Sequence, residues 1–436
     1  MSNRDTASPA PSDALVRAIG TLGLAAAIVN ITVGGGIFRL PANVAGALGA
    51  AAPLAYLVCA AAMGLIVLCI ADAGSRVSLT GGPYAYVGVA LGPYPGFLSG
   101  LMLWMIGLFA MAAVSTVFAA SVGQLVPALG SGPAQVVVLV FTYAFWTLVN
   151  VRGVALGARL NTIATVAKLL PLLLVAVGGL MAVNAEHLVV AAWPAVSDVA
   201  RTSLLLVFAF AGVETALVPS GEVRDVQRTV PRAIALAMAG ITLLYLALQG
   251  AAQGVLGPAL PGSATPLADT ADVAMGGWAR TLLLAGAAVS MFGYLGGMTL
   301  SVPRVLFAMA ADGFLPRPLS TVHTTFRTPH VAIVAQAMLT LALAVSGTFE
   351  RLAILANTSA LALYFGCAVA AWRLRARGVG ERETAVARLP VGAAAPFLAI
   401  PVILWMLTGL TRSECTAFAG LVAIGSMAYA LRRRVS

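Results

Sequence analysis

Twelve runs of about 20 apolar residues follow one another along this chain of 436 residues, and each is long enough to cross a hydrocarbon core as a helix. They occupy 20–48, 53–74, 96–124, 134–151, 160–183, 199–221, 231–256, 278–308, 330–347, 352–373, 390–409 and 414–431. Only 9% of the residues are charged and mean hydropathy is +0.98, so no soluble surface can be made from them. Lipid offers backbone amides no partner, and each span must satisfy its own backbone. The expectation is an all-α membrane protein of twelve transmembrane helices with no soluble domain left over. The first 13 residues read as a disordered cytoplasmic tail. They do not resemble a cleaved signal peptide, because the apolar run behind them continues past residue 40.

The net charge of +10 invites a nucleic-acid partner, but the arginines are spread over short loops instead of forming a patch, which excludes one. They are sorted by side. With the tail in the cytoplasm, Arg201, Arg280, Arg351 and Arg412 fall at outer ends, and Arg39 and Lys168 fall within runs. The other 19 of the 25 basic residues fall inside. This positive-inside pattern places both termini in the cytoplasm of a multi-pass protein. One missed span would scramble the sorting downstream, so it also supports the count of twelve. Four cysteines (Cys59, Cys69, Cys367, Cys415) and three histidines (His187, His323, His330) stand apart at no ligand spacing, and neither metal nor cofactor is expected.

Two runs are broken in the middle. The first reads Val29-Asn30-Ile31-Thr32-Val33-Gly34-Gly35-Gly36-Ile37-Phe38, the second Phe208-Ala209-Phe210-Ala211-Gly212-Val213-Glu214-Thr215. Unwound backbone at membrane depth persists only where it lines a cavity or meets a ligand. Interrupted spans at corresponding places in two halves point to the binding site of a secondary transporter. Runs one to five (14–183) and six to ten (198–375) are the candidate halves. Five is odd, so the second half starts on the opposite side and is inverted; 389–436 carries the two extra helices.

At the first break the N–H groups of Gly35 and Gly36 precede a helix whose dipole is positive at that end, which suits a carboxylate. At the second, carbonyls from Phe208 to Ala211 suit an ammonium. One donor cluster facing one acceptor cluster is a receptor for an α-amino acid; close helix packing through small residues is the alternative.

Lys168, the only lysine, stands roughly 12 Å inside the inner boundary at 1.5 Å per residue. An ammonium there must meet carbonyls, a carboxylate or water, or give up its proton, which a guanidinium does not do. Snorkelling to the interface is the alternative. Glu214, an acid inside run six, is a proton carrier or a structural carboxyl. Arg39 snorkels outward or forms an outer gate. Met298 and Asn357 are candidates to line the cavity, and the amide of Asn357 needs partners wherever it is buried.

At these residues the chain resembles the amino acid–polyamine–organocation (APC) family of permeases. The match lies in Gly34-Gly35-Gly36-Ile37-Phe38 with Leu40-Pro41-Ala42-Asn43, in Gly81-Gly82-Pro83-Tyr84-Ala85-Tyr86, and in Phe210-Ala211-Gly212-Val213-Glu214-Thr215 with Glu222-Val223-Arg224-Asp225. It continues in Pro303-Arg304-Val305-Leu306-Phe307-Ala308-Met309 with Asp312-Gly313-Phe314-Leu315-Pro316. The resemblance implies the LeuT-like five-plus-five inverted repeat, with helices one and six broken, and alternating access. It implies substrate carboxylate on Gly34, Gly35 and Gly36 and the amino group on carbonyls of Thr32, Phe208 and Ala211. It implies that Lys168 works as a proton-coupling group near Asn30, Val33 and Tyr294, with Tyr84 at a gate. Arginine/agmatine exchangers of the family carry tryptophans at the positions of Phe208 and Met298 and an asparagine at that of Met111. Their absence here favours a neutral substrate over a cationic one.

The expected activity is proton-coupled uptake of a neutral amino acid across the cytoplasmic (inner) membrane. Exchange, or amine and polyamine carriage, are the alternatives. The expected partners are a small-molecule amino acid, protons and the bilayer, with no obligate protein partner. An intramembrane enzyme would need a nucleophile–base pair or metal ligands inside the spans, and the runs hold none.

Overall fold

The computed structural model describes residues 20–77, 83–152, 157–212, 226–379 and 390–433. Among them every regular element is a helix. The first apolar run becomes three pieces: α1 (Thr21–Thr32), a single 3-10 turn (Gly35–Phe38) and α2 (Leu40–Leu48). Pro41 stands in the first turn of α2, where its missing N–H costs nothing. Gly49 then turns the chain at φ +54 into α3 (Ala52–Arg76). The short α4 (Pro83–Leu91) meets α5 (Pro93–Leu125) at Gly92, φ +105. Next come α6 (Gly132–Arg152), α7 (Gly157–Met181) and α8 (Val196–Phe210). After 213–225 follow α9 (Val226–Leu256), α10 (Pro266–Met275), α11 (Gly277–Ala311), α12 (His330–Ser346) and α13 (Phe349–Ala376). The chain closes with α14 (Pro390–Leu407) and α15 (Arg412–Arg433).

Seven helical stretches are long and apolar enough to cross a membrane, and four shorter apolar helices accompany them. The protein is therefore multi-pass. Burial within the protein falls from 78% in the apolar part of α5 and 72% in that of α13 to 6% in α15. So α5 and α13 form the centre, and α15 keeps its apolar surface on the outside. Packing pairs are α1 with α9, α3 with α8, α5 with α11 and α13, α7 with α11, and α6 with α12.

Among the described residues, charge is buried at the end of α3. Asp72 on α3 is enclosed between Arg76 Nε and Arg375 Nη2, each 3.2 Å away, and Arg76 also donates to the Val379 carbonyl at 3.0 Å. The cluster ties the end of α3 to the arginine-rich end of α13.

Candidate functional site

Both helices end where a break is expected. α1 stops at Thr32 because Val33 (ψ 86) and Gly34 (φ −108, ψ −165) leave the helical region before the 3-10 turn starts. α8 stops at Phe210: Ala211 is extended (φ −66, ψ 150) and Gly212 takes φ +107, a conformation that costs a residue without Cβ little.

The two breaks face each other. A Cβ on Gly36 would lie 2.6 Å from Phe208 Cδ1, and one on Gly212 would lie 3.0 Å from Ile31 Cγ2. Glycine at 36 is thus what lets the Phe208 ring lie on the first break. The ring is backed by Phe349 of α13, edge to face at a centroid distance of 5.5 Å. Gly35 is covered from the other side by Val114 of α5 and Met291 of α11. Gly35 and Gly36 open the 3-10 turn, so their amides have no acceptor within it. The hydroxyl of Thr32 is buried and meets no hydrogen-bond partner among the described residues.

Exposure around this junction is uneven. Ile31 is 43% exposed although its methyl faces Gly212, whereas Val33, Gly35, Gly36, Ile37 and Phe38 are buried. Beyond Phe38 the free space among Val117, Ser121 and Leu267 shrinks to about 10 Å³, one water at most. A set of polar contacts seals that side. Arg39 donates to the Ser263 carbonyl, Ser263 Oγ donates to Asp269, and Arg280 joins Asp269 at 3.5 Å and Gln124 at 2.8 Å. At the opposite end of the bundle a cavity of about 700 Å³ opens between α4, α5 and α11, with Tyr84, Arg304 and Asp312 on its wall.

The remaining candidates divide. The Asn357 amide nitrogen donates to the Leu204 and Leu205 carbonyls at 2.8 and 3.0 Å, pinning α8 just before its end. Met111 is buried on α5 with its sulfur 3.9 Å from Gln336 of α12. Met298 and Tyr294 are half-buried on α11, and Asn30 is half-buried on α1. Lys168 stands on α7, its side chain outside the described set, and Glu214 lies outside the described residues.

Three residues that the sequence reading passed over support the junction. Tyr245 of α9 donates to the Ala209 carbonyl at 2.8 Å and lies 3.4 Å from that of Thr32. Tyr56 of α3 donates to Gln249 at 3.1 Å, and Gln249 reaches the Pro41 carbonyl at 3.5 Å. Tyr245, Gln249 and Gln253 recur every four residues, a polar stripe inside an apolar run that the sequence does display.

Comparison with known proteins gives the family. The family model described as "Amino acid permease" matches residues 19–425. The serine/threonine exchanger SteT of Bacillus subtilis is 28% identical over 96% of this chain and 98% of its own length. The uncharacterized transporter Rv1999c of Mycobacterium tuberculosis is 32% identical over 97% and 93%. The L-lysine transport protein of Corynebacterium glutamicum is 28% identical over 73% and 66%.

Proposed function

The chain belongs to the amino acid permease family, and on that premise we propose that it carries a small neutral amino acid across the cytoplasmic membrane by alternating access. The observation that carries this reading is the meeting of two helix ends at one place. The amides of Gly35 and Gly36 have no acceptor within their 3-10 turn, and Phe208, near the end of α8, lies against Gly36. Amides receive the carboxylate, and carbonyls of Thr32, Phe208 and Ala211 receive the ammonium. Neither group needs a charged side chain from the protein. The name of the serine/threonine exchanger favours a small substrate.

In this reading the twelve apolar runs are twelve crossings, the termini are cytoplasmic, and runs one to five repeat inverted in runs six to ten. The packing pairs support the repeat. Exchanging run n with run n+5 turns the contact of run one with run seven (α1, α9) into that of run six with run two (α8, α3). It turns run three with ten (α5, α13) into eight with five (α11, α7). It leaves three with eight (α5, α11) and four with nine (α6, α12) unchanged.

The polar seal at Arg39 closes the exterior, and Ile31 marks the side from which the junction is reached, so the protein stands inward-facing. Lys168 bridges the first broken span and runs five and eight when protonated, and loses that bridge when it releases its proton. Substrate and proton occupancy are then linked reciprocally. The deciding experiment is uptake of serine, threonine and alanine into proteoliposomes with an imposed pH gradient. An inward proton gradient should drive accumulation, and Lys168→Ala should abolish that dependence. Normal gradient-driven transport by Lys168→Ala refutes the coupling role. Exchange is the second reading, favoured by the name of the exchanger relative: vesicles preloaded with amino acid would then take up label far faster than empty ones, at any pH gradient.

A further inference from the structure

We propose that the Tyr245 hydroxyl is a clasp that fixes the spacing of the two broken ends and so positions the Thr32 carbonyl for the substrate's ammonium; this rests on the transport reading above. A helix leaves its last four carbonyls without donors of its own. Val29 and Val207 receive theirs from the N–H groups of Val33 and Ala211 at 2.9 and 2.8 Å. Ala209 receives the Tyr245 hydroxyl at 2.8 Å, and the Thr32 oxygen lies 3.4 Å from the same hydroxyl. One proton cannot serve both acceptors fully. The proton is shared unequally: the shorter contact takes most of it, and the Thr32 carbonyl keeps a weak share that holds its place while leaving capacity for a stronger donor.

The clasp is itself immobile. Tyr245 is fully buried, with Phe210 at 5.3 Å and Tyr56 at 6.3 Å, both edge to face. Four residues along α9, Gln249 is held by Tyr56 and reaches the Pro41 carbonyl. α9 therefore grips the first broken span on both sides of the gap, at Thr32 and at Pro41, and grips the second at Ala209. It acts as a ruler against which both breaks are set. An ammonium bound at Thr32 meets an acceptor whose position relative to α8 is already decided, so little ordering remains to be done on binding.

Tyr245→Phe removes the hydroxyl and keeps the ring. The variant and the wild type are compared in proteoliposomes for KM and Vmax, and for inhibition by α-hydroxy acids that lack the ammonium. KM for the amino acid should rise about tenfold with Vmax within about twofold, and the preference for amino acid over hydroxy acid should narrow. An unchanged KM, or an equal loss for both ligand types, overturns the clasp. A second measurement needs no transport: amide exchange at 33–37 in the ligand-free protein should quicken in Tyr245→Phe relative to α5, and unchanged exchange overturns the proposal. If wild-type vesicles take up no amino acid, the transport reading fails and the exchange measurement alone decides the clasp.

Discussion

Three adjacent glycines should respond to the same substitution in three different ways, because each faces a different neighbour. A methyl on Gly34 would lie 3.7 Å from the Thr32 oxygen, an ordinary contact, and φ −108 is open to alanine. On Gly35 it would meet Val114 Cγ1 at 3.0 Å and Met291 Cγ at 3.2 Å, a smaller overlap against buried side chains, of which the helical valine is stiff at χ1. On Gly36 it would meet Phe208 Cδ1 at 2.6 Å and Cε1 at 3.0 Å. The ring must retreat by roughly 1 Å to regain a carbon–carbon contact distance, and Phe349 stands behind it at 5.5 Å. Overpacking of this kind costs about 1–3 kcal/mol, which is about 5- to 150-fold in an equilibrium constant. Gly36→Ala should therefore weaken amino acid uptake by at least about fivefold, Gly35→Ala less, and Gly34→Ala scarcely, by KM measured in proteoliposomes. Phe208→Leu combined with Gly36→Ala should restore part of the loss, and a double-mutant cycle measures the coupling. If Gly34→Ala is as harmful as Gly36→Ala, or the smaller side chain at 208 rescues nothing, the argument that the second break presses on the first is wrong.

Asn357→Ala deletes the donor to Leu204 and Leu205, so melting temperature should fall by the equivalent of about 1–2 kcal/mol while KM holds; a raised KM with unchanged melting would instead make Asn357 a substrate contact. Arg39→Ala removes the bond to the Ser263 carbonyl, and a cysteine at Phe38, placed in a Cys415→Ser background because Cys415 is exposed, should then react several-fold faster with an impermeant thiol reagent added outside. No acceleration would show that other contacts seal that side. Asp72→Asn leaves Arg76 and Arg375 without their shared counter-charge in a buried setting, a loss of about 3 kcal/mol seen as a lower unfolding midpoint. An unchanged midpoint would mean that water already screens the cluster.

What the sequence made legible follows from what a bilayer demands. Every span must be an apolar helix of fixed length, so composition and run length alone anticipate the helical architecture. The breaks were legible for the same reason: a glycine triplet at 34–36 and Ala211-Gly212 have no business in a continuous span, and both helices stop within two residues of them. Which residues touch across the breaks was not legible, because a helical run says nothing of its rotation. Asn357 illustrates this. Its need for partners was legible, but that its amide nitrogen donates to the Leu204 and Leu205 carbonyls of α8 was not.

The most instructive omissions are polar residues inside apolar runs. Tyr245, Gln249 and Gln253 lie on one face of α9, and each must find a partner where lipid offers none. Asp72 stands four residues before Arg76 at the end of α3, an acid within reach of its own base. Intramembrane polar groups are either paired with neighbouring helices or reserved for a ligand, and the sequence shows only that the choice exists. On the transport reading proposed above, the two sets separate. Tyr245, Gln249 and Asn357 spend their hydrogen bonds on the backbone around the breaks, whereas the amides of Gly35 and Gly36 and the hydroxyl of Thr32 do not. A site made this way is built from main chain and braced by side chains, so mutations that weaken binding without touching substrate should cluster on α9 and α13.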